Sequence, residues 1–238
     1  MIFVRPLSRC WKPVMTDQSI AQSDVLVRDL GQTKYPHALE AMQQFTQQRD
    51  PTETDQIWLT EHLPVFTQGQ AGKPEHLLAP ADVPVVQSDR GGQVTYHGPG
   101  QITAYLLLDL RRKRMGVRDL VTGIEKAIQQ VLQQNDISSE LRPKAPGVYV
   151  GSQKIAQLGL RVRRGCCYHG LSLNVDMDLE PFSRINPCGL TDITTTDMAA
   201  LGAVDMGVVK RQLLQALSQA LALTVTTRRS DSLDSSSA

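Results

Sequence analysis

Arg90-Gly91-Gly92-Gln93-Val94-Thr95-Tyr96-His97-Gly98-Pro99-Gly100-Gln101 stands between two apolar segments, Val83-Pro84-Val85-Val86 and Ile102 to Leu110, and both segments read as strands. Five of its twelve residues are Gly or Pro, where a connection that only had to turn needs about two or three. Arg90, Gln93, Thr95, Tyr96 and His97 are interleaved with them. Glycines let a ligand approach the main chain closely, and loops mounted on a rigid sheet are where binding residues concentrate. The stretch is therefore a candidate binding loop on a β-sheet, against the plainer alternative of an ordinary connection whose polar side chains are satisfied.

Working outward, Val25 to Leu30 reads as a first strand closed by Gly31. A helix begins near Pro36, with Ala38, Ala41, Met42 and Phe45 at helical spacing, and ends near Pro51. Gln56 to Glu61 and Val83 to Gln87 read as strands. Val117 to Asn135 is the clearest helix, with Val117, Leu120, Val121, Ile124, Ile128, Val131 and Leu132 on one stripe. From Gly147 the period returns to two: Val148-Tyr149-Val150, a turn at Gly151-Ser152, then Lys154 to Arg163 as a hairpin, with a further strand at Leu171, Leu173 and Val175. A helix over about Val204 to Leu221 and a short strand near Val225 close the pattern. Strands grouped around a few helices indicate an α+β or mixed α/β fold, not a doubly wound parallel sheet. One domain over residues 24–229 is expected, with an irregular extension over 1–23 and a Ser/Asp-rich disordered tail over 230–238.

The 238 residues are 41% hydrophobic and carry a net charge of +1, which gives no electrostatic case for nucleic acid. No apolar run approaches the roughly 20 residues that span a bilayer, and no secretory signal is seen at the start, so a soluble cytoplasmic protein is expected. The four cysteines are Cys10, Cys166, Cys167 and Cys188. Adjacent Cys166-Cys167 lacks the spacing of zinc or redox pairs, so no metal site is expected from these residues with His169.

Two residues invite chemistry. Regular alternation along Lys154 to Val162 puts Lys154 on one face with Ala156, Leu158, Leu160 and Val162. A lysine there is desolvated, which lowers its pKa and suits it to proton transfer; alternatively Gly159 breaks the alternation, or Lys154 snorkels to water from the strand start. Cys188 lies between Pro187 and Gly189, where a turn can present a thiol to a cleft and Thr191-Asp192 can start a helix. The competing reading is a small buried hydrophobe. His97 reads as orienting substrate or loop, and His169 as a core or site histidine. The basic clusters Arg111 to Arg114 and Arg161, Arg163, Arg164 read either as a rim for acidic partners or as solvated loops.

In chain order, Arg90 to Gln101, Lys154-Ile155-Ala156 with Leu158-Gly159, His169-Gly170-Leu171-Ser172-Leu173-Asn174, and Pro187-Cys188-Gly189-Leu190 resemble the octanoyltransferases of lipoate biosynthesis, also called lipoyl(octanoyl) transferases, over roughly Val25 to Leu221. The resemblance implies an α/β fold of the α+β type, with a mixed central sheet flanked by helices like the catalytic domain of biotin and lipoate protein ligases. It implies transfer of an octanoyl group from octanoyl-acyl carrier protein to a lysine of lipoyl domains. The acceptors would be 2-oxoacid dehydrogenases and the glycine cleavage H protein, the enzyme a monomer, with no cofactor and no metal. By motif the catalytic dyad is Cys188, which carries the acyl-thioester, and Lys154. Substrate binding falls to Arg90, Gly91, Gly92, Gln93, Val94, Thr95, Tyr96 and His97, and to Gln157, Leu158, Gly159, Gly170, Leu171 and Ser172. Backbone N–H groups near Leu158-Gly159 or Gly170-Leu171 are candidates for holding the oxyanion. The alternatives are an ATP-dependent lipoate or biotin ligase, which does not need the cysteine, an amidotransferase between lipoyl domains, and a non-catalytic acyl carrier protein binding module. ATP dependence, the accepted donor and a covalent octanoyl adduct separate them.

Overall fold

The computed structural model describes residues 24–143, 145–186 and 194–227. The expectations for 1–23 and 230–238, and for Cys10, Cys188 and Thr191-Asp192, lie outside the described residues. In chain order the elements are β1 (Asp24–Thr33), α1 (Tyr35–Gln48), β2 (Asp55–His62), β3 (Val65–Gln68), β4 (Val85–Gln87), β5 (Val94–His97) and β6 (Gln101–Asp109). There follow α2 (Val117–Gln134), β7 (Glu140–Arg142), β8 (Ala145–Val150), β9 (Gln153–Arg163), β10 (Cys166–Asn174), α3 (Met206–Ala220) and β11 (Thr224–Thr227).

Eight strands form one mixed sheet in the order β11-β1-β2-β6-β10-β9-β8-β7, and β4-β3-β5 form a small second sheet. β1 pairs in parallel with both β11 and β2, while the pairs from β2 to β7 are antiparallel. The centre is β6, whose near-continuous apolar sequence suits a strand covered on both faces. Ile102, Ala104, Leu106 and Leu108 join the main core with Leu120, Ile124, Ile128, Val131 and Leu132 of α2 and Val209, Leu213 and Leu217 of α3. Tyr105 and Leu107 turn the other way, to Ala38 and Met42 of α1 and Trp58 of β2. Each large aliphatic side chain so buried stabilises the fold by about 1.5–3 kcal/mol before entropy is counted. Helix α2 starts where Asp119 Oδ2 accepts from the Gly116 N–H at 3.1 Å, and α3 where Asp205 Oδ1 accepts from Val208 N at 2.7 Å. No helix among the described residues is long and apolar enough to cross a membrane.

Several sequence expectations need correction. Gly31 does not close β1, which continues through a bulge between Asp29 and Gln32 to pair Thr33 with His62. The strand expected at Leu171 starts earlier, at Cys166, because the small and aromatic residues before Leu171 pair with β9 as well as with β6. The glycine-rich stretch is not wholly loop: Val94 to His97 is a strand pairing with β3, so alternation decides which of its side chains can meet a ligand.

Candidate active site

Strand β9 carries the feature on which the site depends. Its register with β8 shifts between Val148 and Tyr149: Val148 faces Ala156, Tyr149 faces Lys154, and Ile155 is the extra residue. A bulge of this kind turns two successive side chains toward the same face. Ile155 and Ala156 both enter the main core, together with Val148. Lys154 therefore departs from the expected alternation. It does not share the face of Ala156, Leu158, Leu160 and Val162, which pack on that core. It turns with Tyr149 into a cavity that both residues line. It does not snorkel: Lys154 is 2% exposed, and its Nζ lies 5.4 Å from the centre of the Tyr149 ring. Gly147, at φ +132°, makes room for it, since a Cβ there would come within 2.4 Å of Lys154 Cε.

The cavity holds about 470 Å³. Val117, Val121, Leu158, Leu160 and Leu171 give it an apolar wall, while Thr95, His97, Thr103, Tyr105, Gln157, His169 and Ser172 give it a polar one. Gly159 and Gly170 face each other across the β9–β10 ladder and offer no side chain to fill it. The Arg90 loop closes it by donating from Gly91 N to Leu160 O at 3.0 Å. Arg90 spends its guanidinium on the fold: Nη2 donates to Thr67 O at 2.6 Å and Nη1 to Gly91 O at 2.9 Å. Of the expected binding residues, all but Tyr96 line the cavity. Alternation along β5 sends Thr95 and His97 inward and Tyr96 the other way, into a cluster with Phe66, Phe182 and Ile185.

Four buried polar atoms on the lining, Gln93 Oε1, Thr95 Oγ1, Thr103 Oγ1 and Gln157 Nε2, make no hydrogen bond with the described residues. Groups desolvated without a partner cost about 1–3 kcal/mol each, so these atoms are free to take hydrogen bonds from water or a ligand in the cavity. Gln157 Oε1, by contrast, accepts from Ser172 Oγ at 2.7 Å.

The histidines around the cavity are held neutral. Burial, helped by His62 and Arg90, pushes His97 well below its usual range. Burial brings His62 down to about 4, against a hydrogen bond with the Thr33 backbone that favours the charged form. Burial also lowers His169, outweighing Asp89. His169 Nε2 donates to Asp89 Oδ1 at 2.8 Å, and Tyr168 Oη donates to the other carboxylate oxygen. Burial disfavours the Asp89 carboxylate, but these two donors hold it ionised, well below the usual carboxylate range. His169 reaches the cavity only because its backbone is left-handed, at φ +60°; in a regular strand it would share the core face of Cys167 and Leu171. Strain of this kind in a non-glycine residue gathers at functional sites.

Neither described thiol suits nucleophilic work. Burial pushes Cys167 up to about 12 and its Sγ donates to Leu106 O, while burial also raises Cys166. No group of three metal-ligating side chains occurs among the described residues. The Arg111 to Arg114 cluster is partly internal: Arg112 and Lys113, with Arg49, bind the buried carboxylate of Asp55 at 2.7–3.1 Å. Sequence reasoning left Tyr35, Thr103, Tyr105 and Tyr149 out of the site. The spacing of Thr103 and Tyr105 on one face of β6 was readable, whereas the approach of Tyr35 and Tyr149 depends on tertiary packing.

The site thus combines a buried lysine, a half-open and mostly apolar cavity, and a glycine-rich loop on a mixed sheet. Residues 34–218 match the lipoyl protein ligase A/B catalytic domain. The chain is similar in fold to lipoate-protein ligase A bound with ATP, with a TM-score of 0.71, 13% identity and coverage of 89% of this chain and 90% of that one. It is also similar to a bi-partite lipoate protein ligase from Thermoplasma acidophilum, with a TM-score of 0.69, 14% identity and coverage of 89% and 88%. In sequence it is 57% identical to an octanoyltransferase of Vibrio cholerae over 82% of this chain and 91% of the relative. It is 64% identical to an octanoyltransferase of Cellvibrio japonicus over 74% and 81%. The chain belongs to the lipoyl protein ligase A/B catalytic-domain family and, within it, to the octanoyltransferases: it is an acyltransferase of protein lipoylation.

Proposed function

We propose that the enzyme takes its octanoyl group from octanoyl-acyl carrier protein, holds it as a thioester on Cys188, and passes it to the ε-amine of a lysine on lipoyl domains, with Lys154 as the proton-handling partner. The acceptors are the lipoyl domains of 2-oxoacid dehydrogenases and the H protein, and the reaction takes place in the cytoplasm. The observation that carries this reading is the buried Lys154 turned into the cavity by the bulge at Ile155. It lies where the chain emerges from residues 187–193: Lys154 N donates to Thr194 O at 2.9 Å and Thr196 N to Lys154 O at 3.1 Å. On the other side of that segment, Asn186 N donates to His76 O at 2.9 Å.

The steps balance with these two groups. The Cys188 thiolate, paired with the Lys154 ammonium, attacks the donor thioester carbonyl. The carrier's sulfur leaves and takes the Lys154 proton as a thiol. The acceptor amine then attacks the Cys188 thioester and gives a proton to the neutral Lys154, the amide forms, and the Cys188 thiolate departs, restoring the pair. One thioester replaces another in the first step and an amide replaces a thioester in the second, so no ATP is consumed. The apolar wall of Val117, Val121, Leu158 and Leu160 suits the acyl chain, each methylene contributing about 0.8 kcal/mol on burial.

The test is an intact-mass measurement and peptide map after mixing with octanoyl-acyl carrier protein and no acceptor. One octanoyl group on Cys188 is expected, discharged when a lipoyl domain is added. An adduct on Cys166 or Cys167, or a requirement for ATP, overturns the reading.

A further inference from the structure

We infer that Gln101 and Asn174 are positioning residues for Lys154, acting through the Thr194–Thr196 segment. The inference rests on the catalytic assignment of Lys154 above. Gln101 and Asn174 are register partners on β6 and β10, and Leu173 pairs with Ala156, so the two amides stand in the row of the sheet beside the bulge. Both are 0% exposed.

Their hydrogen bonds run in one direction. His97 Nδ1 donates to Gln101 Oε1 at 2.7 Å, Gln101 Nε2 to Asn174 Oδ1 at 2.9 Å, and Asn174 Nδ2 to Thr196 O at 2.9 Å. Thr196 N then donates to Lys154 O at 3.1 Å. The row thus joins the inner end of the glycine-rich stretch to the backbone of Lys154 without leaving the interior. Aligned donors in a low-dielectric interior polarise one another, and a side-chain amide can accept on one side and donate on the other.

The consequence follows from where the backbone groups of Lys154 go. Its N–H and C=O are engaged by Thr194 and Thr196. The place of Lys154 is thus set by a segment whose own place is set by Asn174. The same segment is independently tied by Met198 N to Asn174 O at 3.2 Å and Ala199 N to Val175 O at 2.8 Å, so loss of the side-chain amide shifts it without detaching it.

The experiment uses the full chain with octanoyl-acyl carrier protein and a lipoyl domain. Asn174→Asp keeps the acceptor and removes the donor; Gln101→Met keeps the shape, removes both, and carries the test should the buried carboxylate prevent folding. Each is measured alone and combined with Lys154→Met. Alone, each is expected to lower kcat on the order of a hundredfold, the cost of about 1 Å of misplacement, with KM for both substrates little changed. Combined with Lys154→Met, the further loss is expected to stay within about threefold, because residues acting through one group do not add. A hundredfold loss that persists in the Lys154→Met background, or appears in KM, or is absent from the single variants, overturns the positioning role. Normal activity in Lys154→Met alone overturns the catalytic assignment instead, and is read separately.

Discussion

Two buried charges sit in the same eight-stranded sheet and are treated in opposite ways. Asp55, at the start of β2, is 0% exposed and surrounded by cations: Arg49 and Arg112 reach its Oδ1 at 2.7 Å, Asp109 N donates to the same oxygen at 2.9 Å, and Lys113 lies 3.1 Å from Oδ2. Lys154, 2% exposed, faces an aromatic ring and a cavity whose lining holds polar atoms that no described residue satisfies. The first arrangement is what a structural charge needs once it has left water. The second sets the charge on the wall of a cavity with room for a ligand. Under the proposed function the contrast separates charge used to hold the fold from charge placed for chemistry, although both are equally hidden from solvent.

The sharpest way to break this contrast is to neutralise each charge in turn. Lys154→Met is expected to lower transfer on the order of a thousandfold, within the usual range for a general acid–base group, without lowering the melting temperature. Steady-state rates and a thermal scan on one preparation check both halves. A normal rate would make Lys154 structural and erase the distinction.

Asp55→Asn should do the reverse. Breaking a buried, multiply paired charge costs about 3–5 kcal/mol, which denaturant titration would show as a lowered midpoint. Activity per folded molecule should stay close to that of the parent chain. A specific loss of kcat here would mean that the Asp55 corner also serves the reaction.

Acid should attack the cavity side of the sheet before it attacks Asp55. Free histidine titrates near 6.5 and His62 is held down to about 4 by burial. Between those values the unfolded chain binds a proton that the native fold refuses. His62 therefore contributes stability that is complete above about pH 6.5 and lost as the pH falls toward 4, about 3 kcal/mol in all at 1.4 kcal/mol per unit. His97 and His169 act with the same sign. The Asp55 carboxyl, pulled down by its cations against the cost of burial, holds to lower pH. Equilibrium unfolding of parent and His62→Asn from pH 7 to 4 should show a flatter acid limb in the variant; identical limbs would place the loss elsewhere.

The smallest expected effect concerns one orphan hydroxyl. Thr103→Val replaces Oγ1, buried and without a partner among the described residues, by a methyl group. It should raise stability by up to about 1 kcal/mol while lowering kcat/KM, if that hydroxyl meets the substrate. A stability loss would show that Thr103 is already satisfied in the resting fold.

Much of this was legible beforehand. The apolar stripe of α2 needs only a 3.6-residue period, and all its members are buried except Val117 and Val121, which line the cavity instead. The glycine density of Arg90 to Gln101 marked the loop that closes the site, and motif order alone carried the family. Legibility failed where a local rule was broken. Tyr96 was grouped with its neighbours until a strand at Val94 to His97 sent it to the other face. The basic run at Arg111 to Arg114 gave no hint that Arg112 and Lys113 answer Asp55, because that carboxylate is far away in sequence.

The chain by itself determined the elements, the family and the residue types available for chemistry, since propensity, periodicity and motif spacing are local properties of the sequence. Only the tertiary structure decided which face Lys154 and His169 occupy. A β-strand's side-chain order is regular until one residue is inserted or one φ turns positive, and either event reverses the face. Whether that happens depends on the partner strand: on Val148 and Tyr149 opposite the bulge at Ile155, and, for the left-handed His169, on the Asp89 carboxylate that receives its ring.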